Sequence, residues 1–149
     1  MLKIVHPVAG AIALATIATF WLSTLFSEIF ASRGVVIAVK SAVPWGLLLL
    51  IPALAATGGS GFTLAKGRKG GLLGTKLRRM PFIAANGLLI LIPSALFLAH
   101  KARAEQFDAS FYTVQFLELA AGAINITLLA LNMRDGLVLK GRVGRHRSR

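Results

Sequence analysis

Four long apolar runs constrain this chain more than any other feature. Crossing a hydrocarbon layer of about 30 Å takes roughly 20 mostly apolar residues in a helix. Runs of that kind lie at about 5–30, 34–57, 81–100 and 111–133. The connections between them are short, so neighbouring spans must run antiparallel. The expected fold is an all-α membrane protein, a four-transmembrane-helix antiparallel bundle. With 149 residues and a mean hydropathy of +0.73, the spans and their connections use nearly the whole chain. That leaves a single membrane domain, 1–149, and no room for a separate soluble one.

Local chemistry sets the expected boundaries. The first run follows a start that carries only Lys3. It is too long for a signal-peptide core, and Ile29 and Ala31 make a poor cleavage pair, so it reads as a retained helix. Gly58-Gly59-Ser60-Gly61 is expected to loosen the end of the second span. Met80 and Pro81 open the third, with Pro81 suited to a first helical turn, and Pro93 is expected to kink it. Arg134, Asp135 and Gly136 are expected to end the fourth.

Seventeen Lys and Arg against five Asp and Glu give a formal charge of +12, and the cations are unevenly placed. Lys3 supplies one, the loop 66–79 six (Lys66, Arg68, Lys69, Lys76, Arg78, Arg79) and the tail 134–149 six (Arg134, Lys140, Arg142, Arg145, Arg147, Arg149), thirteen on one side. Arg33, Lys40, Lys101 and Arg103 remain for the other. Positively charged flanks are retained in the cytoplasm, so both termini are expected there, in a multi-pass protein of a bacterial inner membrane. The basic loop and tail read as topogenic charge resting on anionic lipid head groups. Nucleic acid is not an expected partner, because no aromatic residues interleave with the tail cations.

The chain has no cysteine, which removes disulfides, thiolate metal sites and cysteine nucleophiles. No nucleophile motif or paired-carboxylate arrangement occurs, and Gly58–Gly61 lacks the strand and lysine of a phosphate loop. Chemistry must come from the polar residues inside the spans. In lipid, helices associate through small side chains and a few polar contacts. Ala11, Ala15, Thr19, Ser23 and Ser27 recur at fourfold spacing in the first span, and Ala120 to Ala123 form a small patch in the fourth. Both features predict close helix packing.

An ionisable group inside a span asks for a partner or a function. Glu118 lies about seven residues inside the fourth span, roughly 10 Å deep at 1.5 Å per residue. Lys40 is placed less deep, close enough to the surface to snorkel. Glu28, His100, Trp21, Ser23, Ser27, Trp45, Tyr112 and Gln115 share that leaflet. Two readings follow: a Glu118–Lys40 ion pair with an aromatic belt, or a cavity that holds a quinone head group or an ion. A second polar group lies near the cytoplasmic boundary: His6, Asn86, Asn125, Asn132 and Met133. His6 either caps its helix and meets lipid phosphate, or ligates haem iron with Met80 or Met133 as second axial ligand. His100 falls at the opposite boundary, so the two histidines cannot share one haem.

The strings HPVAGAIALATIATFWLST (6–24), KLRRMPFIAANGLLILIP (76–93) and FYTVQFLELAAGAINITLLALNMRDG (111–136) resemble a group of small bacterial four-helix inner-membrane proteins. More loosely, the layout is similar to the small helical subunits of respiratory complexes that hold b-type haem or quinone between helices. The paired histidines of that pattern are missing here. Three functions are expected from these readings. One is an accessory or anchor subunit of an inner-membrane complex, contributing to a quinone or haem pocket. The others are an independent b-type haem electron-transfer protein using His6, and a small homo-oligomeric transporter or channel using Glu118 and Lys40.

Overall fold

In lipid an unpaired backbone amide or carbonyl costs several kcal/mol, so a span stays helical even through residues that would break a helix in water. A computed structural model, describing residues 2–64 and 71–145, follows that rule throughout. Five α-helices form four antiparallel rods: α1 Leu2–Phe30, α2 Arg33–Leu64, α3 Gly71–Asn86, α4 Ile92–Arg103 and α5 Ala109–Arg145. The third rod is α3 and α4 joined by a π-helical turn, Gly87–Leu91. All four rods are long and apolar enough to cross a membrane. The starts of α1 and α3 and the ends of α2 and α5 lie at one end of the bundle, here the terminal end. The α1–α2 and α4–α5 connections form the turn end.

Three boundaries differ from the expected ones, each for a local reason. The second helix runs through Gly58–Gly61 to Leu64, with the Ser60 hydroxyl bonding back to the carbonyls of Ala56 and Thr57. The third rod begins at Gly71, whose φ of +61° suits glycine, so Pro81 falls inside α3 instead of opening it. The fourth helix continues past Arg134 and Gly136 to Arg145, because Asp135 is held inside by Arg79 of α3 at 2.8 Å. The expected loop cations Lys66, Arg68 and Lys69 lie outside the described residues. So do Arg147 and Arg149 of the tail, and the side chains of Lys3, Lys140, Arg142 and Arg145.

Pro93 is accommodated in the third rod by a specific device. Its ring cannot tolerate the carbonyl four residues earlier and it has no N–H to give. The preceding turn widens, with the Ile92 amide bonding to the Gly87 carbonyl five residues back.

The packing line of α1 differs from the expected stripe. Ala11, Ala15 and Thr19 face outward, while Ala9, Ala13, Ile17, Thr24 and Ser27 are buried. The hydroxyls of Thr16 and Thr19 return to the carbonyls of Ile12 and Ala15, which satisfies them without a neighbouring helix. Ala13, Ile17, Val43, Leu47, Leu50, Ile83, Ala95 and Leu129 build the central core from all four rods. A second cluster of Val36, Leu98, Ala102 and Phe111 closes the turn end. Asp108 caps α5 there by accepting from the Phe111 amide at 3.0 Å.

Candidate functional site

The buried face of α5 is polar along its length. Gln115, Glu118, Asn125, Asn132 and Asp135 follow one another at intervals of three or seven residues, so a 3.6-residue helix turns them all inward. From Gln115 to Asp135 the line spans about 30 Å at 1.5 Å per residue. The other rods meet it with polar groups at three levels.

At the turn end, Lys40 of α2 donates to Glu118 Oε2 at 2.6 Å and to Thr24 Oγ1 of α1 at 3.4 Å. Gln115 Nε2 adds a donor to the same Glu118 oxygen at 3.4 Å. Lys40 is only 1% exposed, which corrects the expectation that it snorkels. Pointing between α1 and α5, it has no route to water and takes the carboxylate instead. Trp21 packs beside Glu118 and donates from Nε1 to the Leu119 carbonyl at 2.8 Å. It fits there because Gly122 has no side chain: a Cβ would stand 2.9 Å from the Trp21 ring. Other residues expected in this cavity lie elsewhere. His100 is exposed, and Trp45 and Tyr112 face outward at 72% and 52% exposure.

At mid-depth, Asn86 of α3 donates to the Asn125 side-chain oxygen at 3.0 Å and to the Ala121 carbonyl at 2.8 Å. Asn125, fully buried, donates in turn to the Ile83 carbonyl.

At the terminal end, His6 Nδ1 lies 3.0 Å from the Thr57 carbonyl and 3.1 Å from Ser60 Oγ. Its Nε2 lies 3.1 Å from Lys76 Nζ. An ammonium only donates, so Nε2 accepts and Nδ1 carries the ring proton. This neutral imidazole has no lone pair left for iron, so the site as arranged does not fit a haem ligand. Of the methionines considered with it, Met80 shares the space beside Gly61 with His6, and Met133 points outward at 46% exposure. Among the described residues no three His, Asp or Glu side chains converge as a metal site.

Lys76, Arg79 and Asp135 belong to this network, although their sequence position assigned the two cations to a topogenic loop. A signal was present. Asp135 follows Asn125 and Asn132 at helical spacing, which puts its carboxylate on the buried face and calls for a cation.

Between these levels the bundle is open. Near the terminal end α2 and α3 barely touch. The gap is a cleft of about 410 Å³, lined by apolar side chains with Thr57 and Asn125 as its polar members. Gly58 and Gly59 face it with nothing within 4 Å of where a Cβ would stand. A smaller cavity of about 50 Å³ reaches Trp21, Thr24 and Glu118. The two share Ile17, Leu47, Leu50 and Leu91 as walls, so they are neighbours.

The fold and this site define a class: a bundle of four helical rods, each long and apolar enough to cross a membrane, with a buried ion pair and an apolar cleft. No family model, curated protein or solved structure matches the chain.

Proposed function

We propose that this chain is an accessory subunit of a bacterial inner-membrane complex and that its cleft holds an isoprenoid quinone. One observation carries the reading: the 410 Å³ cleft is apolar except for Thr57 and Asn125, both of them buried. A phospholipid needs a charged head in water at the mouth. A quinone needs apolar walls for its tail and one or two hydrogen-bond partners for a small uncharged head. Asn125 in the cleft lining, with Trp21 and Glu118 in the lining of the neighbouring cavity, supports that reading. The subunit role rests on the absence of any catalytic motif and on the outward face of Ala11, Ala15 and Thr19, where a partner helix can approach closely. The thirteen-to-four division of cations supports a topology with both termini in the cytoplasm and the basic segments against anionic lipid.

The test is purification in mild detergent, followed by native mass, an absorption spectrum and chromatography of the organic extract. Co-purifying subunits and about one quinone per chain are expected. Gly58→Leu fills the cleft from a position with open space, and should remove the quinone while leaving the fold intact. A phospholipid in the extract instead of a quinone refutes the quinone assignment. A Soret band indicates the haem alternative, and a colourless homo-oligomer the transporter alternative. A periplasm-active reporter fused after Arg149 should be silent; strong activity reverses the orientation.

A further inference from the structure

Glu28 of α1 lies within electrostatic reach of both Lys40 and Glu118. The turn-end cluster therefore sets two carboxylates against one ammonium. Lys40 makes its shortest bond, 2.6 Å, to Glu118. Neither it nor any other donor among the described residues reaches Glu28 Oε1, which is buried without a hydrogen-bond partner. Gln115 has the same deficit: the residue is 4% exposed, and while its Nε2 meets Glu118 its Oε1 has no donor. A buried carboxylate oxygen without a donor and one surplus negative charge in the same cluster have one remedy, a proton on the second carboxylate.

We propose that Glu28 is a proton-binding site, loaded from the aqueous phase at the turn end, whose charge state is governed by the Lys40–Glu118 pair. The reaction is the simplest available: the carboxyl O–H bond breaks, the proton passes to water, and the carboxylate keeps the electron pair. Access is short, because Glu28 is partly exposed and stands two residues before the end of α1. The other charged groups of this end are engaged elsewhere or face away. Arg33 lies over the Phe107 ring at 5.5 Å, Arg103 bonds to Ser41, Lys101 pairs with Asp108 and His100 is exposed. Lys40 is thus the cation for which the two glutamates compete. While Glu118 holds Lys40, Glu28 is neutral; where a glutamine stands at 118, Glu28 becomes the counterion. This site does not depend on what fills the cleft.

Infrared spectroscopy of the full chain in lipid nanodiscs at neutral pH reads the carboxyl proton directly, through the carbonyl band of a protonated acid and its shift in D2O. The wild type should carry one such group. Glu28→Gln should remove the whole band. Glu118→Gln should remove it too, because Glu28 ionises opposite Lys40, and Lys40→Met should double it. Helix content and a single elution peak are checked for each variant; if Lys40→Met misfolds, the two glutamine variants decide. A wild type without the band, or a band that survives Glu28→Gln, overturns the proposal.

Discussion

Replacing Glu118 with glutamine removes the charge and almost nothing else, which isolates the worth of the Lys40–Glu118 pair. At 2.6 Å and an effective dielectric of about 20, the attraction is about 6 kcal/mol. Desolvation of both groups offsets part of it, and removing one partner of a buried pair generally costs about 3–5 kcal/mol. Glu28 remains near enough to answer Lys40, so the lower end, about 3 kcal/mol, is expected. For a chain of this length that corresponds to a fall in Tm of roughly 10 °C. Thermal unfolding in detergent, followed by circular dichroism and by Trp21 fluorescence, measures it. The double variant Lys40→Met/Glu118→Leu removes both charges and should recover most of the loss, because no ion is left stranded. A Tm within about 2 °C of wild type for Glu118→Gln, or a double variant no better than the single, would refute the reasoning.

Three further outcomes follow from named contacts. Asn125→Leu removes the bonds to Asn86 and the Ile83 carbonyl and should cost about 1–2 kcal/mol, read by the same unfolding assay. Gly46→Ala drives a Cβ to 2.2 Å from the Phe20 ring and should cost about 1–3 kcal/mol, while Gly58→Ala, facing open space, should be neutral or slightly stabilising. The Lys101 ammonium, the Ser110 hydroxyl and the Phe111 amide hold the Asp108 carboxyl well below its usual range. A carboxylate lowered on folding stabilises above its unfolded pKa and stops doing so as pH falls through its folded one. The stability difference between wild type and Asp108→Asn should therefore persist at neutral pH and shrink in acid.

The inward line on α5 was readable before any coordinates, because Glu118, Asn125 and Asn132 recur every seven residues and a helix returns to the same face at that interval. Their partners were harder to read. Lys40 looked like a snorkelling cation, since its distance along the helix from the boundary is short; what buries it is the direction of its side chain between α1 and α5. His100, Trp45 and Tyr112 share a depth with the ion pair and not a face, and depth alone cannot separate the two. The stripe Ala11, Ala15 and Thr19 failed for a related reason. Small residues at fourfold spacing describe a face that permits close packing, while packing is decided by which face the neighbouring rods cover.

The sequence by itself determined that four helices form and that each is long enough to cross a membrane. It also divided the polar residues of the spans into two groups by depth, one near each boundary. These are consequences of hydropathy and helical period, which are local. Only the tertiary structure decided that Lys40 meets Glu118, that His6 commits both ring nitrogens to α2 and α3, and that a cleft opens where α2 and α3 part. Each depends on how rods far apart in sequence are rotated about their own axes. In lipid that rotation is set by small differences in packing and polar contact, because the apolar surface gains nothing by choosing one neighbour over another.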